Sequence, residues 1–422
     1  MDTDVKKMVT NAMYLYFVQG LNVLLPLLVL PYLIKTLSTE SFGVYSFAFA
    51  FAQFLLLFVD FGFNLTATKK IAENSENSLL VKETFWNIIT IKFVLSLLAF
   101  LVTIILILVS AKIRFYSEGI IWSFIMIIGA VFFPLWWFQG MNKMKEMSII
   151  NAVSKLLTYP LVFLLVKTAD DYRWAIIIQS LSFLLAALFS ILYLIKNQSW
   201  YFNNIRLVKH KEVYIQEIRS SFGIFLSNSS ISLYTNSLTI LLGLFSTNYN
   251  VGLFGAMDRM VRAVCFSILL PINQACFPII VRMRKQNFTK AKQLFIRVLI
   301  GVFFLMLIAY LAFLMGKSII LEKFFEGYQG IEFALIVFML MIFPIALGGI
   351  MGQLGVLGLG DEEEKKKFSR IYMWVGGLSL PLSVFCIKYF ELYGAMGIMM
   401  GVESVIFILF ALVIMNMKLK YK

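Results

Sequence analysis

The chain has 422 residues, 60% of them hydrophobic and only 14% charged, with a mean hydropathy of +0.86. A water-soluble globular chain is about one-quarter charged, so this composition excludes one. The formal net charge of +14 does not point to nucleic-acid binding, because no basic domain stands apart from the apolar segments.

Apolar stretches of roughly 20 residues, long enough to span a bilayer, recur along the whole length. They are continuous rather than alternating, which excludes an outer-membrane barrel. The sequence therefore predicts an all-α polytopic membrane protein with about twelve transmembrane helices. In chain order the first six spans lie near 10–34, 42–62, 84–110, 119–140, 148–167 and 174–195. The first reads as a retained helix, since its apolar run is too long for a leader and no small-residue cleavage site follows. The longest polar gap, KNQSWYFNNIRLVKHKEVYIQEIRS, comes next. The second six spans lie near 221–245, 251–281, 293–315, 329–357, 369–388 and 394–416. The gap divides the chain into an N-terminal bundle, 1–200, and a C-terminal bundle, 201–422.

Basic residues set the orientation. If both termini are cytoplasmic, the outer loops hold only Lys35, Lys112, Arg114, Lys167, Arg173, Lys317, Lys323 and Lys388, and the cytoplasmic segments hold about three times as many Lys and Arg. The stretch VDFGFNLTATKKIAENSEN, Val59–Asn77, is where span two emerges inside, marked by Lys69 and Lys70. Its Asn64-Leu65-Thr66 sequon would then face the cytoplasm and is a chance match. Asp60 is expected to pair with Lys69 or Lys70 at the interface; the other reading is that these three residues gate the inward mouth.

The two halves show traces of duplication. STESFGVYSFAFAFAQ (Ser38–Gln53) aligns with STNYNVGLFGAMDRMVR (Ser246–Arg262) if one residue is inserted in the loop. Gly43 then meets Gly252, Tyr45 meets Phe254 and Gln53 meets Arg262. A half-length duplication is a repeat pattern of secondary transporters.

Charged groups at membrane depth cost roughly 2.5–3.5 kcal/mol each on insertion scales, so each one needs a reason. Span eight carries Asp258, Arg259 and Arg262; Asp258 and Arg262 share a helical face and can pair. Lys92 and Lys155 add cations in spans three and five, and Glu403 is a lone acid in span twelve. These groups could pair between helices, snorkel, or line a cavity for an anionic head group. Gln19 and Asn22 on one face of span one, and Ser227, Asn228 and Ser230 in span seven, fit either a polar cavity or interhelical hydrogen bonding. All eight prolines fall in spans, where each frees a carbonyl that needs a partner, and LGGIMGQLGVLGLG weakens span ten further.

Other features lead nowhere. DEEEKKK after Gly360 reads as a solvated helix start with i,i+4 pairs Asp361–Lys365, Glu362–Lys366 and Glu363–Lys367. The P-loop spacing is missing, and His210 lies in a polar loop without triad context. Cys265, Cys276 and Cys386 lie in apolar runs without metal or CxxC spacing and read as inert thiols. No outer loop could fold into a catalytic domain, so the chain is not expected to be an enzyme or to carry a cofactor or metal.

The stretch TLSTESFGVYSFAFAFAQFLLLFVDFGFNLTATKKIA, with PYLIKTLS before it and FFPLWWFQGMNKM at Phe132–Met144, closely resembles the Wzx group of O-antigen and capsule polysaccharide flippases. That group belongs to the multidrug/oligosaccharidyl-lipid/polysaccharide exporter superfamily. Asn142 stands where many members carry an acid. The extra C-terminal helix pair and cationic span one of lipid II flippases are absent, and multidrug exporters lack VDFGFNLTATKKIA. The resemblance implies two six-helix bundles related by a pseudo-twofold axis around a central cavity, in the bacterial inner membrane. It implies movement of oligosaccharide units on undecaprenyl pyrophosphate to the outer face for lipopolysaccharide or capsule synthesis. Arg262, Arg259, Lys92 and Lys155 would hold the pyrophosphate or acidic sugars, Asp258 would orient Arg262, and Gln19, Asn22 and Gln53 would complete the cavity. The partners implied are the lipid-linked oligosaccharide, membrane lipids, a polysaccharide polymerase and a chain-length regulator, with H+ or Na+ as the coupling ion. A multidrug or cation antiporter and a membrane-embedded glycan polymerase are the alternatives.

Overall fold

The computed structural model describes residues 20, 25–26, 28–198, 201, 211–325 and 330–420, and no strand occurs among them. Nine helical stretches among the described residues are long and apolar enough to cross a membrane. On Ser78–Val109, for example, Phe93, Leu97, Leu98 and Leu101 are exposed, as expected of a helix whose outer face meets lipid rather than water. The chain forms two compact units, Met1–Ser229 and Ser230–Lys422.

The first unit contains α1 (Thr39–Asp60), α2 (Phe63–Glu73), α3 (Ser78–Val109), α4 (Ala111–Phe115), α5 (Ser117–Phe132), α6 (Leu135–Gly140), α7 (Met144–Leu165) and α8 (Tyr172–Asn197). It ends within α9 (Lys211–Tyr234). Helix α1 opens on Ser38, whose hydroxyl accepts the Ser41 amide at 3.2 Å. It closes on Phe61 in the left-handed region (φ 41°), with the Phe61 amide returning to Leu57 O. Gly62 follows at φ 82°, so the chain turns before α2 begins. A β-carbon on Gly62 would also meet Ile224 and the Ser221 carbonyl at 3.0 Å.

The two stretches that carry the family resemblance pack against each other. Phe63, Ala67 and Ile71 of α2 join Phe85, Trp136, Trp137 and Phe138 in one buried cluster. The Thr68 hydroxyl donates to Asn64 O at 2.6 Å and lies 3.2 Å from both Trp136 O and Gln139 Oε1. Tyr201 ties the cluster together, accepting from Trp86 Nε1 through its carbonyl and from Trp137 Nε1 through its hydroxyl. Gly140 permits this approach, because a β-carbon there would lie 2.7 Å from Ile71 Cγ2. Gly140→Ala is expected to destabilise the protein by about 1–3 kcal/mol. A lowered unfolding temperature of the detergent-solubilised chain is the readout, and an unchanged one would contradict it. Asn142 occupies a left-handed conformation (φ 54°), which asparagine and aspartate tolerate better than most residues, so the position is conformationally satisfied without an acid.

The second unit contains α10 (Asn236–Phe245), α11 (Asn248–Gln286), α12 (Phe288–Phe324), α13 (Glu332–Met339), α14 (Ile342–Ile350) and α15 (Glu362–Lys420). Thr247 caps α11 as Ser38 caps α1, accepting the Asn250 amide at 3.3 Å. The second turns of both helices are buried, including Gly43 and Tyr45 on α1 and Gly252 and Phe254 on α11, the pairs matched by the sequence alignment. Between α14 and α15, Met351–Leu359 winds as a π-helix. Its glycines sit under large side chains: a β-carbon on Gly352 would lie 2.9 Å from the Phe368 and Phe410 rings, and one on Gly355 would lie 2.4 Å from Ile414 Cδ1. These glycines therefore serve close packing. Helix α15 breaks at Glu391 (φ 47°, ψ −120°) into two arms.

Candidate functional site

Among the described residues, two clusters of paired charge stand out in the spanning helices, one in each unit. In the first unit, the carbonyl of Ala130 on α5 would bond to the amide four residues on, but position 134 is proline and has no N–H. Lys92 of α3 fills the gap, donating to Ala130 O at 2.7 Å and bridging to Asp60 Oδ1 at 2.8 Å. Its side chain is 2% exposed and that of Asp60 32%. The ammonium thus links α1, α3 and α5.

This arrangement corrects the expected partner of Asp60. Lys69 and Lys70 lie on α2, beyond the turn at Phe61 and Gly62, and do not continue the α1 helix toward Asp60. Lys69 instead faces Glu73 at 3.8 Å on an exposed surface. Lys70 bridges to Glu217 of α9, whose carboxylate is buried. Beside that pair, the Thr66 and Ser221 hydroxyls share a hydrogen bond at 2.6 Å, and the Phe61 ring stacks on Phe225 at 4.4 Å. Three contacts therefore fasten the turn to α9. Reversing one charge (Lys70→Glu) leaves two facing carboxylates, one of them buried, and is expected to lower stability by about 1–3 kcal/mol. Combining it with Glu217→Lys should restore most of the loss. Thermal unfolding of the two variants in detergent tests this, and equal losses in both would contradict it.

In the second unit, Asp258 and Arg262 of α11 pair one turn apart, Nε to Oδ1 at 2.7 Å. Arg262 Nη2 is buried and has no hydrogen-bond partner among the described residues. Glu403, 8% exposed on the second arm of α15, interacts electrostatically with both Arg262 and Asp258. Tyr234 and Tyr372 lie in the same electrostatic neighbourhood. Glu403 is thus not isolated: it lies within electrostatic range of the Asp258–Arg262 pair, without a direct ion pair to Arg262. The sequence held a signal for this, an acid in span twelve facing an excess of cations in span eight, but spacing alone could not show which helices meet.

Lys155 on α7 and Arg259 on α11 are partly buried, and both have interactions with neighbouring groups. Gln53 on α1 points its amide at Met126 Sδ, 3.8 Å away. Gln19 and Asn22 lie outside the described residues, as does His210. Ser227 back-bonds to Gly223 O at 3.1 Å, as a satisfied helical serine does. At the start of α15, Asp361 Oδ1 accepts the amides of Glu363 and Glu364, while Lys365 reaches Glu362 at 2.7 Å and Lys367 reaches Glu363 and Glu364 at 3.8 Å. Two of these three ion pairs are spaced differently from the i,i+4 set expected. The acidic group caps and neutralises its own helix end.

This is the fold of membrane transporters. An inward-facing multidrug resistance MATE family transporter of the MOP superfamily superposes with a TM-score of 0.69 at 14% identity, covering 94% of each chain. The lipid II flippase MurJ in an inward closed conformation gives 0.69 at 12% identity, covering 96% of this chain and 87% of the other. A family model described as "Polysaccharide biosynthesis protein" matches residues 8–284. Two relatives, each named "Putative O-antigen transporter", extend the likeness to the full length. The one from Escherichia coli (strain K12) is 32% identical over 99% of both chains, and the one from Shigella dysenteriae is 29% identical over 95% of this chain and 98% of its own. The chain belongs to the polysaccharide biosynthesis protein family.

Proposed function

We propose that the protein is a flippase. It moves oligosaccharide repeat units linked to a polyprenyl pyrophosphate from the cytoplasmic to the outer face of a bacterial inner membrane, by alternating access, for O-antigen or capsule assembly. The observation that carries this reading is the likeness, over 99% of both chains, to the Escherichia coli relative. The fold shared with the flippase MurJ supports it. In this reading the chain has twelve spans in two halves, 1–200 and 201–422, with both termini in the cytoplasm.

The chemistry fits the task. A sugar chain and its phosphates cannot cross hydrocarbon unaided, because each unpaired polar group costs several kcal/mol. The lipid tail can stay in the bilayer while the head is carried through. Outward movement of an anion also gains about 2.3 kcal/mol per charge per 100 mV when the inside is negative. Arg262 suits the pyrophosphate: Asp258 holds its Nε, and Nη2 is left for a ligand. Arg259 and Lys155 add positive charge to this role. Lys92, held by Asp60 and Ala130 O, acts through the shape of the first unit, and Lys70 through its hold on α9. H+ or Na+ is the coupling ion, and a polysaccharide polymerase and a chain-length regulator are the protein partners.

Deleting the gene tests the reading. Loss of surface polysaccharide, with lipid-linked single units held on the cytoplasmic face, is the expected result. The same units accumulating on the outer face would indicate a polymerase instead. Intact polysaccharide with loss of drug efflux would indicate a multidrug antiporter.

A further inference from the structure

A second polar site lies in the second unit, away from the Arg262 cluster. The break in α15 at Glu391 and the opening turn of α11 border an open cavity of about 470 Å³. Its size falls within the range of about 300–1,000 Å³ typical of small-molecule sites. Its lining includes Tyr249, Asn250, Tyr389, Phe390, Glu391 and Tyr393. Glu391 is held in its unusual backbone conformation by two bonds to one oxygen: Ser246 Oγ donates to Oε2 at 3.0 Å and Asn250 Nδ2 donates to it at 2.7 Å. The Asn250 amide also donates to Ser246 Oγ at 2.8 Å. Oε1 accepts no hydrogen bond among the described residues. The rings of Tyr389, Phe390 and Tyr393 are 60–63% exposed around it.

This combination selects one ligand chemistry. Aromatic rings offer flat apolar faces against which the C–H side of a pyranose stacks, and tyrosine hydroxyls add polar tips. A fixed carboxylate oxygen accepts from adjacent sugar hydroxyls. The same carboxylate repels phosphate, and no lysine or arginine is among the described lining residues; the nearby Lys388 ammonium lies 5.9 Å from the Tyr389 ring centre. We propose that this cavity is a saccharide subsite that holds a neutral pyranose of the repeat unit on the outer face, after its pyrophosphate has left the Arg262 cluster. The proposal rests on the flippase reading for its orientation, since these loops face outward only if both termini are cytoplasmic.

The test is saturation-transfer NMR on the full chain in lipid nanodiscs. The probe is the repeat-unit oligosaccharide of the cells that carry the gene, freed from its lipid by mild acid. Saturation of ring C–H protons in wild type, weakened roughly five- to tenfold in Tyr389→Ala/Tyr393→Ala and again in Glu391→Gln, supports the subsite. These exposed positions can change without disturbing a core, and Glu391→Gln keeps the shape of the side chain. A signal equal in wild type and both variants would overturn the proposal and leave these rings as interfacial membrane anchors. So would no signal in wild type. If gene deletion traps lipid-linked units on the cytoplasmic face while wild type gives no signal, the subsite is wrong and the flippase reading stands. If deletion leaves the polysaccharide intact, the flippase reading itself has failed.

Discussion

Arg262→Ala is expected to reduce surface polysaccharide by roughly 30- to 5,000-fold, the effect of losing about 2–5 kcal/mol from a desolvated charge contact. Two consequences of the structure combine here. The variant removes the guanidinium whose Nη2 is available to an anion, and it leaves Asp258 and Glu403 without their shared cation. Arg262→Lys separates them in part: it keeps the charge but not the planar fork, and it should give an intermediate loss. The double variant Arg262→Gln/Asp258→Asn separates them further, because charge balance returns while the anion contact does not. It should reach the membrane at wild-type levels and still fail to restore polysaccharide. Full polysaccharide from either glutamine or alanine at this position would remove Arg262 from the transport scheme.

Lys92→Ala is expected to destabilise the first unit by about 3–5 kcal/mol, because it leaves Asp60 without its partner in a largely buried site. Replacing the whole pair, as in Lys92→Met/Asp60→Asn, should recover all but about 1–3 kcal/mol, the remainder coming from the Ala130 carbonyl that Pro134 cannot serve. The difference is measurable as thermal unfolding midpoints of the solubilised proteins. Wild-type stability in Lys92→Ala would show that the bridge is not structural. The contrast with Arg262 separates the two clusters: both are buried charge pairs, but Lys92 has its contacts filled and Arg262 does not.

Much of the fold was legible because a bilayer leaves few solutions. Continuous apolar runs had to be helices, and Ser38 and Thr247 cap the helices that open the two aligned stretches. Pro134 announced a carbonyl in need of a partner, though the partner of Ala130 O is a lysine side chain rather than a polar cavity. Pairing by nearness in sequence held within one helix, as for Asp258 and Arg262, and failed across a turn. Asp60 seemed destined for Lys69 or Lys70, nine and ten positions on, but a left-handed phenylalanine and glycine redirect the chain between them. Its partner stands 32 positions away, and that of Lys70 lies on α9, after the polar gap. Glu403 was lost in the same way, since no local spacing connects spans eight and twelve. The stretches carrying the resemblance were legible as a signature but not as neighbours; the structure shows them packed together through Thr68, Ile71 and Gly140.

Transbilayer movement in a purified system tests the flippase reading most directly. Full-length protein is reconstituted into liposomes whose polyprenyl-pyrophosphate-linked single repeat units begin on one leaflet, and their arrival on the other is followed with an impermeant glycosidase. The expected result is protein-dependent transfer that is lost in Arg262→Ala and retained in an exposed-surface control such as Lys69→Ala. Wild-type protein that leaves the units on their starting leaflet while exchanging an organic cation for H+ or Na+ would contradict the flippase reading.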